Sequence, residues 1–279
     1  MGTRLFGGRN YGAAAIAILS TFLFLFPIYW MVVTSLKPMS ELFSSPPHLF
    51  PYEMTWKAYI DNFVKDQSIF KYIFNSAVIS FGTLILTLLL ATPFAYAMAR
   101  YKLRGLSIIL ILLLTIQMLP SIMMAMPLFI VFSKLGLLNS FTSLIVANTT
   151  HTLPFAVLML RPYFLAVPKG LEEAALIDGC NKFSAFWRVM VPCIKHGILT
   201  VGALCFLYAW GDFLFALIFT TDKSIHPLTM GLYKFITEYG AQWNNLMAVA
   251  TISSLPIILI FIALQKHIVG GITSGAVKD

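Results

Sequence analysis

Residues 72–99 read Y-I-F-N-S-A-V-I-S-F-G-T-L-I-L-T-L-L-L-A-T-P-F-A-Y-A-M-A, a run without one charged side chain. As an α-helix it exceeds the roughly 20 residues that cross the hydrocarbon core of a bilayer. Working outward from it, five further apolar stretches lie at about 12–34, 106–132, 140–165, 197–221 and 245–268. The 279 residues are 59% hydrophobic and 11% charged, against about 45–50% and about 25% in soluble domains. Mean hydropathy is +0.84. A water-soluble globule has no use for so much apolar side chain. The expected fold class is an all-α membrane protein with six transmembrane helices.

The connections are too short to hold an enzyme domain with its own core, so a non-catalytic chain is expected. Cys180, Cys193 and Cys205 show no C-x-x-C spacing, and their odd number argues against a disulfide framework. The five histidines, His48, His151, His196, His226 and His267, match no metal-ligand spacing, so no metal is expected. A net charge of +8 invites a nucleic-acid reading, but the positive residues form no dense run beyond Arg100, Lys102 and Arg104. Their distribution follows the positive-inside rule instead. With the N-terminus in the cytoplasm, 12 of the Lys and Arg residues fall inside and 7 outside, and all six arginines fall inside. Six spans return the C-terminus to the cytoplasm. The expected organisation is an anchor helix with an outer loop over 1–71, a transmembrane domain over 72–268 carrying a cytoplasmic elbow at 168–195, and a cytoplasmic tail over 269–279.

The first outer loop holds Pro38, Pro46, Pro47 and Pro51, which prevent a continuous helix. Beyond them Trp56, Tyr59, Ile60, Phe63 and Val64 recur at helical spacing, while Lys57, Asp61 and Lys65 keep wetter positions. That pattern predicts a short helix in the outer headgroup region. Within the spans Pro93, Pro120, Pro127, Pro154 and Pro256 invite kinks. No internal repeat suggests an inverted-repeat carrier. The one clear acid is Asp212, after Trp210 and Gly211. It reads either as a carboxylate satisfied at the outer interface or as a group facing a translocation path or partner subunit.

The cytoplasmic stretch 166–196 reads A-V-P-K-G-L-E-E-A-A-L-I-D-G-C-N-K-F-S-A-F-W-R-V-M-V-P-C-I-K-H. Pro168 and Gly170 precede a run of good helix formers, with Glu172 and Glu173 in its first turn, where the helix dipole favours acids. Gly179 offers a left-handed cap. A second helical pattern carries Phe183, Phe186, Trp187 and Met190, and Pro192 should disrupt it before the fifth span. The result is a helix–glycine–helix elbow outside the membrane. Its small pair Ala174 and Ala175 and its aromatic cluster suit a helix laid into a groove on another protein, although an inert connection has the same outline.

Glu173-Ala174-Ala175, Gly179 after three intervening residues, and Val189-Met190-Val191-Pro192 resemble the E-A-A…G…I-x-L-P motif of importer-type ABC transporter permeases, with Asp178 fitting the common D-G form. The departures are Val189 and Val191 in place of Ile and Leu, and His196 where a second proline is frequent. F-P-I-Y-W-M-V-V-T-S-L-K (26–37), A-Y-A-M-A-R-Y-K-L-R-G (95–105), Q-M-L-P (117–120), L-P-F (153–155) and G-G-I-T-S-G-A-V-K-D (270–279) narrow the resemblance to carbohydrate importers, in the permease class that includes the maltose system's shorter subunit.

That resemblance implies a bacterial inner-membrane subunit paired with a second permease, two copies of an ATP-hydrolysing subunit and a periplasmic solute-binding protein. ATP and Mg would sit on the ATPase partner, since this chain has no G-x-x-x-x-G-K-[ST] loop. Glu173 would supply charge at the docking site, Ala174 and Ala175 close approach and Gly179 the turn, with Asp178 and Pro192 in the same coupling set. The outer loop 222–244 resembles the segment presented to the binding protein, through Leu228, Gly231 and Trp243; an interfacial hairpin anchored by Tyr233, Phe235, Tyr239 and Trp243 is the plainer alternative. The glycine-containing tail, too flexible to fold alone, contacts the ATPase pair in related permeases. Gln117, Asn148, Trp210 and Asp212 are candidates for sugar contact along the pathway, or for satisfying neighbours within the bundle. The same architecture would serve a glycerol-phosphate or sugar-phosphate importer. A secondary carrier or channel would need no ATPase, and a membrane-anchored receptor would move no solute.

Overall fold

The structure, a computed structural model, describes residues 11–237 and 242–276. The helices are α1 (Tyr11–Ser35), α2 (Met39–Leu42), α3 (Lys57–Tyr59) running into a π-helical turn Ile60–Lys65, α4 (Ser68–Arg100), α5 (Leu106–Met118), α6 (Ser121–Lys134) and α7 (Phe141–Ala166). They continue with α8 (Lys169–Ile177), α9 (Lys182–Ala185), a π-helical turn Phe186–Met190, α10 (Val191–Cys193), α11 (Lys195–Trp210), α12 (Leu214–Phe219), α13 (Leu228–Thr237) and α14 (Trp243–Ala276). The described residues contain no strand.

Helices α1, α4, α7 and α14 are each long and apolar enough to cross a membrane. Of the other two predicted spans one is bent and one is interrupted. Helices α5 and α6 meet at 96°, and the break falls where Leu119 takes an extended ψ of 128° before Pro120. A residue preceding proline is pushed out of the helical region, and proline itself donates no hydrogen bond. Pro93, Pro127, Pro154 and Pro256 all lie inside helices that continue through them. The predicted fifth span, 197–221, is two helices, α11 and α12, interrupted at Gly211–Phe213.

The chain forms two compact units: residues up to 68 with 232–254, and residues 69–231 with 255 onward. In the larger unit α7 is the central helix, touching α5, α6, α11 and α12. Helix α4 turns a stripe of small and hydroxyl side chains inward, from Ser76, Ser80 and Thr83 through Thr87, Ala91 and Ala95. Thr87 and Thr152 hydrogen-bond between α4 and α7 at 2.7 Å. Small residues are what membrane helices need at contacts, because lipid gives no hydrophobic drive to association and close backbone approach must supply dispersion energy. Leucine and isoleucine meanwhile face outward on α5, where Ile108, Ile111, Leu112 and Leu114 are exposed.

In the smaller unit the first outer loop folds back on the end of α1. The Tyr29 hydroxyl donates to Leu49 O at 2.7 Å, and Ser35 Oγ and Tyr59 OH lie 2.7 Å apart. The predicted short helix is present, but the side chains it buries are Ala58 and Asn62, while Trp56, Ile60 and Val64 are exposed. Asn62 turns inward because it has a partner, donating to Asn245 Oδ1 at 3.0 Å.

The tail departs from expectation. Helix α14 continues to Ala276, so the glycine-containing segment is helical almost to its end. Extending an existing helix adds one hydrogen bond per ordered residue, whereas nucleating one is costly, and the span supplies the nucleus. Arg4, Arg9 and Tyr239 lie outside the described residues.

Candidate functional site

The elbow is defined at each joint by local chemistry. Helix α8 starts after Pro168 and ends in paired reverse hydrogen bonds, Cys180 N to Ala175 O at 3.0 Å and Gly179 N to Leu176 O at 3.2 Å. This is the Schellman arrangement, which needs a left-handed residue. Gly179 supplies it with φ of +89°. The next helix starts at once, because the Asn181 side chain caps it by accepting from Ser184 N at 2.8 Å. The expected disruption after Pro192 falls two residues later, at Ile194, and the chain turns 77° into α11.

The elbow has two faces. On the inner face, Arg100 at the end of α4 reaches Glu172 with Nε–Oε2 at 3.2 Å; the side chains are 5% and 17% exposed. Tyr96, one turn earlier, donates its hydroxyl to the other Glu172 oxygen. Arg100 also donates to Val167 O at 2.7 Å, holding the start of the elbow. Around these polar groups Phe186 packs 4.8 Å from the Tyr96 ring and Tyr96 lies 5.5 Å from Phe164. Met190 is fully buried in the same cluster. Desolvating an Arg–Glu pair is tolerable where further hydrogen bonds support the partners: Tyr96 donates to Glu172 and Arg100 to Val167 O, while the buried Arg100 Nε meets Glu172 as an ion pair without hydrogen-bond geometry.

On the outer face Ile177 is 85% and Phe183 74% exposed, beside exposed Trp187, Leu176, Glu173, Ala174 and Asp178. Phe183 and Trp187 meet edge-on with centroids 6.4 Å apart. Large apolar side chains exposed beside acids, one helical turn from a sealed inner face, form a surface suited to a partner groove.

Of the expected coupling residues, Glu173, Ala174, Asp178, Gly179 and Pro192 lie on the exposed side. Ala175 does not. It is 7% exposed, buried within the chain itself, so its smallness serves close packing inside this chain. Sequence reasoning passed over the inner clamp. The signal was there in Tyr96 and Arg100, four apart on one helix face at a span's end, and in a second acid beside Glu173.

Of the pathway candidates, the structure brings two together. Asn148 is fully buried, donates to Leu144 O at 2.9 Å and hydrogen-bonds the Asp212 carboxyl. Asp212 sits in the break between α11 and α12, where its Oδ1 accepts from Phe215 N at 3.3 Å and its backbone carbonyl from Thr229 at 2.6 Å. Gln117 lies in the last turn of α5, just before the 96° bend, with its buried Oε1 unpaired. Trp210 is buried and stacked on Phe206, centroids 5.5 Å apart. Three residues outside the candidate set join this region: Ser121 Oγ and Tyr208 OH lie 3.1 Å apart, and the His151 ring stacks on Tyr208 at 4.3 Å.

The outer loop is organised around a helix, α13, rather than a hairpin. Leu228 is buried, its N–H donating to Ser76 Oγ at 2.8 Å. A Cβ at Gly231 would come within 2.6 Å of the Tyr72 ring. Both are packing positions, whereas Trp243 is exposed. Among the described residues no cluster of His, Cys, Asp or Glu is arranged to hold a metal.

Several helices apolar enough to cross a membrane, joined through a helix–glycine–helix elbow, fit the class of membrane permease subunits. Residues 91–274 match the family described as binding-protein-dependent transport system inner membrane component. The chain belongs to that family, the inner-membrane permeases of ABC transporters. It is 35% identical over 254 residues to the sulfoquinovosyl glycerol transport system permease protein SmoH of Agrobacterium fabrum, covering 91% of this chain and 89% of the relative. It is also 35% identical over 258 residues to the arabinooligosaccharides transport system permease protein AraQ of Bacillus subtilis, covering 92% and 91%. In fold it is similar to a chain of a bacterial ABC transporter involved in the import of the acidic polysaccharide alginate, with a TM-score of 0.78 at 21% identity over 95% of this chain and 99% of that one.

Proposed function

We propose that the chain is one of two permease subunits of an ATP-driven importer that moves a sugar or oligosaccharide from a periplasmic binding protein into the cytoplasm. The observation that carries this reading is the two-faced elbow: one face is locked to the spans by Arg100, Tyr96 and Glu172, and the other exposes Ile177, Phe183 and Glu173. A purely connecting loop gains nothing from desolvating an arginine on one side while leaving large apolar residues exposed on the other. The saccharide-transport relatives support the substrate class.

In this mechanism two copies of a separate ATPase subunit bind Mg–ATP, and each seats one elbow in a cleft. Glu173, Ala174, Asp178 and Gly179 meet the partner, with Ile177 and Phe183 as apolar anchors. Closure of the ATPase pair displaces the elbow as a body, because the glycine cap and the capped α9 fix its internal angle. The clamp passes that displacement to the end of α4. ATP binding thereby favours one of two bundle conformations by its differential affinity for them. Asp212, at the break in the fifth span and held by the buried Asn148 of α7, provides a polar group for sugar hydroxyls, and Trp243 belongs to the surface offered to the binding protein. With the termini in the cytoplasm, the elbow and the ATPase share one side of the membrane.

The test is reconstitution of this chain with its companion permease, ATPase and binding protein in liposomes, with labelled mono- and oligosaccharides supplied outside. Sugar uptake that needs internal ATP and the binding protein supports the reading. Uptake by this chain alone, without an ATPase, overturns it.

A further inference from the structure

The smaller unit contains a cavity of about 250 Å³ lined by Trp30, Thr34, Lys37, Glu41, His48 and Trp243, together with apolar neighbours. All of these residues belong to that unit, on the face the sequence assigns to the outside. We propose that this cavity is a binding site for a single uncharged sugar ring.

The walls carry the argument. Trp243 offers a part-exposed indole, an apolar face with a polar edge that suits a ring with one C–H face and a hydroxyl rim. The Trp30 ring already carries the Lys37 ammonium and stacks with Phe26, so it contributes its edge. Lys37 is 2% exposed although it lines the cavity. Its ammonium donates to His48 O and lies 4.8 Å from the Trp30 ring centroid, with Glu41 close enough to act on it electrostatically. A cation buried this deeply and balanced by a carboxylate leaves the site near neutral, which disfavours a carboxylate or phosphate ligand.

Thr34 lies one turn along α1 from Trp30 and is 8% exposed, and its hydroxyl has no protein partner. Nearly all buried polar groups are paired, and an unpaired one costs free energy that a ligand hydroxyl recovers. Size sets the limit on the other side. The volume falls just below the roughly 300–1,000 Å³ of sites for drug-sized ligands, so it holds one ring.

This inference rests on the reading of the chain as a sugar permease, and the experiment separates the two. The assembled importer in nanodiscs is probed by saturation-transfer NMR with methyl β-glucopyranoside, methyl β-galactopyranoside and glucuronate. Saturation of the ring C–H signals of the two neutral glycosides, weakened about fivefold by Thr34→Val through loss of one hydrogen bond, is the expected result. Trp243→Leu should weaken it further. Thr21→Val, which removes an exposed hydroxyl bonded only within α1, should leave it unchanged. Signals indifferent to both Thr34→Val and Trp243→Leu, in variants that still assemble, overturn the site while sugar transport stands. Signals that depend on Thr34 in a complex that imports no sugar support the site and overturn the transport reading. A preference for glucuronate overturns the neutral ligand class.

Discussion

Arg100 and Glu172, 72 positions apart in the sequence, form an ion pair of 3.2 Å between the end of α4 and the first turn of α8. It lies against Tyr96 and Phe186, in the cluster that seals the elbow to the bundle. Removing one partner leaves the other charge buried and unpaired, which costs about 3–5 kcal/mol at such sites. Glu172→Ala should therefore lower the melting temperature of the assembled complex and cut transport by an order of magnitude or more. The double variant Arg100→Met with Glu172→Leu should recover most of the stability, since apolar replacement of a buried pair is often neutral. Thermal melts beside transport assays decide whether the pair acts on stability or on coupling. If the double variant is stable and transports at the wild-type rate, the clamp has no coupling role.

The exposed face makes the opposite prediction. Ile177 and Phe183 contribute little to the fold of this chain, being 85% and 74% exposed. Ile177→Asp and Phe183→Asp should leave insertion and melting of the isolated permease within about 0.5 kcal/mol, the usual span for surface changes. The same changes should abolish retention of the ATPase in a mild-detergent pull-down. Retention of the ATPase by both variants would place the docking surface elsewhere.

Gly179 separates strain from steric blockage. A Cβ there meets nothing within 4 Å, yet φ is +89°. Gly179→Ala should cost about 1 kcal/mol through backbone strain alone, and Gly179→Asn less, because asparagine tolerates left-handed conformations. Gly179→Asp adds a charge at the proposed cleft and should uncouple ATP hydrolysis from transport without preventing insertion. Measuring ATP hydrolysed per sugar imported across the three variants orders them Asn, Ala, Asp. Normal transport by the Asp variant would overturn the docking role.

How much of this was legible beforehand depends on the range of the interactions. The six apolar stretches and the elbow's helix–glycine–helix form depend on hydropathy, helix spacing and capping, which are local, and the chain shows them plainly. The 96° bend at Leu119–Pro120 was half legible. The proline was visible, but nothing local distinguishes it from Pro154, which α7 absorbs. The clamp was not read, because Glu172 already had a sufficient local reason to sit in a first helical turn. Ala175 is buried within the chain for a reason that the sequence does not reveal: smallness says that something approaches closely and not what. Asn62 inverted its helix for a partner, Asn245, 183 positions away.

The break in the fifth span gives a prediction for the pathway. Asp212 holds the amide of Phe215 and hydrogen-bonds Asn148, so its carboxylate has a structural use beside the solute-facing one proposed for it. Asp212→Asn keeps an acceptor for Phe215 and removes the charge, whereas Asp212→Leu removes both. If sugar hydroxyls meet this group, Asp212→Asn should raise the sugar concentration for half-maximal uptake roughly tenfold, about 1.4 kcal/mol. Binding-protein-stimulated ATP hydrolysis should persist. Equal loss of hydrolysis and uptake in Asp212→Asn would show a residue that supports the fold of the break alone.

Glu41, in the smaller unit, sets a pH dependence whose sign is fixed. Burial would raise its carboxyl, but the amides of Tyr52 and Glu53, the charge of Lys37 and a hydrogen bond to His48 outweigh it and hold the group below the usual carboxylate range. Tyr52 N approaches both oxygens, at 3.0 and 3.2 Å. A carboxyl depressed in the folded state stabilises the fold above its unfolded pKa of about 4.3, and that stabilisation disappears as pH falls through the lower folded value. The difference in melting temperature between wild type and Glu41→Gln should thus be constant from pH 8 to about pH 5 and shrink below that. His48 faces the same carboxylate at 3.5 Å, so His48→Gln serves as the companion variant: it should leave the acid-side loss in place, because the backbone amides remain. A difference that grows on acidification would mean that the neutral carboxyl is the form the loop prefers.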